Sequence, residues 1–133
     1  MERTARHNIE AARKAALDLH KRLIEAQRLL YEREHGRVAT PADLLHLVTY
    51  DPAFTWLRPL AQFVLAADEV LANPELSESE AAEVRADCER LFTEPAFEAP
   101  YLALLQNSPD VVLSHAQLRR ELALLPEVKP IAD

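Results

Sequence analysis

Glu32-x-x-His35, inside the stretch YEREHGR, sets a carboxylate and an imidazole one helical turn apart. Di-iron helical bundles project such a half-set of ligands inward from each of two helices. A complete centre needs a second Glu-x-x-His and two further inward glutamates, and the sequence has no second Glu-x-x-His. His115 and Asp68 are the next groups able to move a proton. His115 lies on the stripe Val111, His115, Leu118, Leu122, Leu125, and Asp68 falls among Ala61, Val64 and Leu71. A core-edge histidine bonded to a carbonyl or carboxylate is the plain expectation for the first. For Asp68 it is a structural ion pair with His115 or Arg58. The functional alternative is an acid/base or ligand-binding pair in an apolar cleft.

Arg58 stands between Leu57 and Pro59. There it would line an opening made by the proline or cap the carbonyls that the proline frees. Cys88 sits on the stripe Ala81, Val84, Cys88, Leu91 with Arg85 as the one basic group near its own turn, so an inert buried thiol is expected. Arg119-Arg120 forms a short basic spot, expected to be solvated or paired with Glu121 or with the acids of the predicted helix over 78–93. Gly36 is the single glycine, which excludes a P-loop, a dinucleotide fingerprint and a nucleophile elbow. No nucleophile with a base beside it supports an enzyme, and no metal or cofactor is implied.

These groups need elements to position them. Alanine and leucine occur 22 times each, whereas Val, Ile and Thr together total 16. A composition so rich in helix formers and so poor in β-branched residues and glycine makes an all-α fold. Thr40-Pro41, Asp51-Pro52 and Ser108-Pro109 each set a capping side chain before a proline at the first helical position. Ser77-x-x-Glu80 is a capping box, and Thr40-x-x-Asp43 resembles one. The signals predict helices over about 4–35, 41–50, 52–72, 78–93, 97–107 and 109–125, with Pro126–Asp133 a loose tail. Pro59 should break or kink the third near Thr55–Arg58. Around and after it, Trp56, Leu57, Leu60, Val64, Leu65 and Leu71 are expected in the core. The predicted fold is one all-α domain, a bundle of five or six helices with a long N-terminal helix and a proline-kinked central one.

The first predicted helix carries Ile9, Ala12, Ala16, Leu19, Leu23, Ala26 and Leu30 at alternating spacings of three and four, the a and d positions of a heptad. Leu17, Ile24 and Tyr31 form a second apolar line. In the same frame Asp18, Glu25 and Glu32 alternate with Lys14, Lys21, Arg28 and His35 along a polar face. Glu32-x-x-His35 thus reads as the last rung of a charge ladder ending at a glycine cap, away from the apolar stripe.

Charge narrows the partners. Residues 1–37 carry a balance of +3 and residues 38–133 one of −10, together the formal −7. An acidic body disfavours nucleic acid as a partner. No window reads as a membrane span, the N-terminus MERTARHNIE has no apolar signal-like run, and one cysteine fits a reducing cytoplasm. The acidic residues Glu78, Glu80, Glu83, Asp87 and Glu89 invite comparison with the basic column of the first helix, either facing it or independently solvated.

The stretches LIEAQRLLYEREHGR, DPAFTWLRPL and SPDVVLSHAQLR, spanning most of residues 23–120, resemble blocks in small uncharacterised all-helical bacterial proteins. The resemblance implies a bacterial source and brings no activity and no catalytic residue.

Two functions are expected from these features. The first is a non-enzymatic interaction module. At about 32 residues, its first helix would run near 48 Å and overhang the shorter helices at its N-terminal portion. Ile9, Ala12, Ala16 and Leu19 would then be a surface for another protein, with a homodimer foremost. The alternative is a bundle holding a small molecule near Pro59, lined by Trp56, Arg58, Asp68 and His115.

Overall fold

The computed structural model describes residues 4–128, so the predicted loose tail falls partly outside the described residues. Seven α-helices and no strand occur among them. They are α1 (Ala5–His35), α2 (Pro41–Tyr50), α3 (Pro52–Thr55), α4 (Arg58–Leu71), α5 (Glu78–Leu91), α6 (Pro95–Asn107) and α7 (Pro109–Ala123).

The starts obey local chemistry. Thr40, Asp51 and Ser108 accept from the backbone N–H of Asp43, Ala53 and Val111 at 3.1, 2.9 and 3.3 Å. Each stands before a proline whose missing N–H is an orphan donor anyway. Ser77 and Glu80 close a full capping box. Gly36 ends α1 at φ +86°, and its N–H bonds the Glu32 carbonyl at 3.0 Å.

Proline also explains the helix count of seven where five or six were expected. The predicted helix over 52–72 is interrupted at Trp56–Leu57, leaving α3 and α4 with Pro59 in the first turn of α4. There its ring clashes with no earlier turn. Pro95 plays the same part in α6, which begins two residues before the predicted start. Pro100 lies inside that helix.

Most of the helices bury side chains in one continuous core. α1 is its axis, packed most extensively on α7 and next on α4. Both run antiparallel to it. Asn8 at the start of α1 donates to the Leu124 carbonyl beyond the end of α7 at 3.4 Å, whereas Arg22 pairs with Asp110 near the start of α7 at 3.8 Å. Arg6 donates to the Leu71 and Asn73 carbonyls at the far end of α4 at 2.5 and 2.6 Å.

These contacts fix which end of α1 is covered. α7 has 15 residues against 31, so it matches only the first half of α1. Ile9, Ala12, Ala16, Leu19 and Leu23 are fully buried within the single chain. The small alanines let neighbouring backbones approach closely. The overhang therefore lies at the opposite end from the one expected, where Leu29 is 51% and Leu30 40% exposed.

One further expectation changes, and one element stays outside the core. α4 buries Leu60, Phe63, Val64 and Ala67, one face at helical spacing, with Leu57 just before it. Leu65 stands outside at 62% exposure, and Trp56 and Leu71 are only half-buried. α2 has no buried residue at all, although its sequence PADLLHLVTY is largely apolar.

Candidate functional site

The four residues expected around Pro59 do not converge. Asp68, on α4, pairs with Arg13 of α1 at 2.5 Å, which makes it the expected structural ion pair with an unexpected partner. Arg58 is exposed and donates to the Thr49 carbonyl at 3.0 Å, spanning the α2–α4 corner as a cap. Trp56 donates its indole N–H to the Ala53 carbonyl at 2.9 Å and sets its ring edge-on to Phe97 at 5.3 Å. His115, on α7, takes the Tyr101 hydroxyl of α6 on Nδ1 at 2.5 Å.

Two of the four nevertheless share an environment. Phe92, Phe97, Tyr101 and His115 form a chain of ring contacts between 5.1 and 6.0 Å, and Trp56 extends it through Phe97. Burial pushes the Tyr101 phenol upward. Burial first, and the Arg119 charge second, push His115 below the usual imidazole range. The phenol therefore stays protonated and donates, and the imidazole stays neutral and accepts. Cys88 lies in the same region, fully buried, with its thiol pushed up to about 12, chiefly by burial. This is a packed aromatic core with satisfied polar tips, and His115 is a core-edge histidine bonded to a phenol.

The YEREHGR segment is also accounted for locally. Arg28 bonds Glu25 through Nε at 3.0 Å and Glu32 through a terminal nitrogen at 2.9 Å. The other Glu32 oxygen accepts from the Val38 N–H at 2.7 Å, tying the chain after Gly36 back onto α1. His35 lies against the Tyr31 ring at 4.4 Å. Glu32 is thus a rung and a clamp. Two of the acids of α5 likewise find partners on their own helix, Glu89 on Arg85 at 2.6 Å and Asp87 on Arg90 at 2.7 Å.

A groove runs beside α1. At the corner between α6 and α7, a hollow of about 320 Å³ is floored by Ala26, Leu29, Leu30, Leu104 and Pro109. Arg33 is the one charged residue on its wall. A second hollow of about 400 Å³ shares Ala26, Leu29 and Ser108 with the first and adds Asp18, Lys21, Arg22, Glu25 and Asp110. A third, of about 210 Å³, continues along α7 past Leu113, Ser114 and Gln117. Together they form one channel between α1 and the α6–α7 pair, apolar at one end and charged in the middle. Leu113, on its far rim, is 69% exposed.

Of the residues expected to meet a partner, Ile9, Ala12, Ala16 and Leu19 are unavailable, each at 0% exposure. Exposed apolar surface on α1 lies instead at Leu29 and Leu30, with Arg33 beside them. A sign of them was present in the sequence. Continued past Leu30, the a and d positions fall on Arg33 and Arg37, so the apolar stripe turns basic where its intrachain cover ends.

α2 is the second exposed apolar element. It packs mainly on the four-residue α3, leaving Leu45 67% and Tyr50 71% exposed. A shallow hollow separates it from the Tyr31 and His35 side of α1, away from the groove.

No group of three or more metal-ligating side chains occurs among the described residues, and no described helix is long and apolar enough to cross a membrane. No protein family, curated protein or solved structure matches the chain.

Proposed function

We propose that this chain is a non-enzymatic protein–protein interaction module that binds through the groove between the C-terminal half of α1 and the α6–α7 corner. One observation carries it. The a/d stripe that makes the core continues past its intrachain cover to Leu30, and Leu30 with Leu29 beside it stands half-exposed in an apolar hollow. Fully burying a leucine stabilises by roughly 1.5–3 kcal/mol, so two half-exposed leucines leave a comparable amount to be gained by a partner. An amphipathic helix laid in an apolar groove is a recurring way to collect that energy. Arg33 at the apolar end adds a charge that would select an acidic group on the incoming helix.

A displayed library of amphipathic helical peptides, panned against the full chain, tests the proposal. Recovered binders should lose at least about tenfold in affinity on Leu29→Glu or Leu30→Glu. Binders that ignore both substitutions, or a library yielding none, would overturn it.

A further inference from the structure

Resting on that reading of the groove, we propose that its occupant is a second copy of this chain, docked with the two α1 helices antiparallel and crossing at Leu29. Glu25, Leu29 and Arg33 follow one another at four-residue spacing, so they form one ridge of the helix surface. All three line the groove. The ridge reads negative, apolar, positive. Two antiparallel copies place Leu29 against Leu29, with each Arg33 opposite the Glu25 of the other copy.

A two-fold interface requires self-complementarity of this kind, because each residue meets the image of its counterpart across the axis. A parallel register would instead oppose like charges. Arg33 forms no ion pair with another described residue, so its charge is available. Glu25 is held by Arg28 on the same helix, which orients the carboxylate without using every lone pair.

Continuing the ridge outward would set Lys21 against Arg37 and oppose two positive charges. That clash is avoided because α1 stops at Gly36, whose φ of +86° turns the chain away, and the Val38 N–H fastens it to Glu32. The neighbouring Ala26 is small enough for close approach, and Leu30 supplies further apolar surface. The ridge is short, so the interface belongs to the small class that associates reversibly.

Sedimentation equilibrium of the full chain, from about 1 µM to about 1 mM, tests the inference. The weight-average mass should rise from one chain toward two. Arg33→Glu and Glu25→Arg should each weaken association at least about tenfold, because each opposes like charges. An equimolar mixture of the two variants should recover it as a heterodimer, since every facing pair is then opposite in sign. That recovery separates charge matching from misfolding. Independently of charge, Leu29→Cys should oxidise readily to a linked dimer, because a residue on the axis faces itself, whereas Leu65→Cys should not.

A monomeric wild-type chain at every concentration overturns the inference. So does a mixture of folded variants that fails to associate, or a Leu29→Cys chain that links no faster than Leu65→Cys. If the chain is monomeric while helical peptides still bind the groove, only the second copy is lost. If neither binds, both readings fall.

Discussion

Cys88 shows how strongly burial overrides a reactive side chain. With no exposed surface and a thiol pushed up to about 12, it holds almost no thiolate near neutral pH. A thiol-reactive dye should modify it only on global unfolding, within experimental error of the unfolding rate. Rapid labelling of the folded chain would show that the region around Phe92 and Tyr101 opens locally. His115 and His20 give a second outcome at this scale. Both are held below the ordinary imidazole value of 6.5, chiefly by burial. The unfolded chain therefore binds more protons than the folded one between the lowered folded values and 6.5. Their contribution is fully present above 6.5 and is lost as pH falls through that window. The urea midpoint should drop between about pH 7 and about pH 5, and His20→Gln with His115→Gln should flatten that limb. A midpoint unchanged or rising toward pH 5 in the parent chain would contradict this. The residue types near these sites were readable in advance, and so were the plain roles of His115 and Cys88. The partners were not. Asp68 meets Arg13, 55 positions earlier, and His115 meets a tyrosine. Spacing along one helix carries no information about what another helix brings to it.

Helix by helix, the clearest contrast lies within α1. Leu19→Ala removes a side chain with no exposure from the packed half and should cost about 2–5 kcal/mol in chemical denaturation. Leu29→Ala, ten positions on and half-exposed, should cost the isolated fold below about 1.5 kcal/mol. Equal costs would mean that the two halves of α1 are equally covered. α2 is the other informative element. A ten-residue helix is marginal in water on its own, and this one buries no side chain. Its amides should exchange with solvent faster than those of α1, α4 or α7 by at least about a hundredfold, the mark of local opening. Protection matching the core helices would show that α3 alone holds it firmly. Helix starts were legible because capping is local chemistry. Thr40, Asp51, Ser77 and Ser108 act on donors two or three residues away. The split at Pro59 was legible for the same reason. Leu65 was misplaced because a run of apolar residues such as LAQFVLAADEVLA does not reveal which stripe the neighbours cover.

For the molecule as a whole, the groove is where the covered and uncovered halves of α1 meet. A short α7 folds back antiparallel on a helix twice its length, and what it leaves bare is a continuation of the core's own stripe. Salt should act on this surface in a specific way. The proposed Glu25–Arg33 pairs lie near solvent, so raising ionic strength from about 0.05 M to about 0.5 M should weaken self-association several-fold without abolishing it. Association that strengthens with salt across that range would point to an apolar contact with no charge matching. The Arg22–Asp110 bridge across the channel is exposed and long at 3.8 Å, so removing it should barely change stability.

By itself the sequence determined the all-α class, the caps, the proline break, the face that α1 turns to the core and the inert setting of Cys88. Each follows from interactions within a helical turn or from a periodicity along one helix. Tertiary structure alone decided where along α1 the cover lies, that Asp68 and His115 take separate partners, and that α2 stays outside the core. Those outcomes depend on the relative lengths and directions of helices distant in sequence. A heptad specifies a face, whereas the antiparallel return of α7 to residue 8, rather than to residue 30, decided which end of that face remained open.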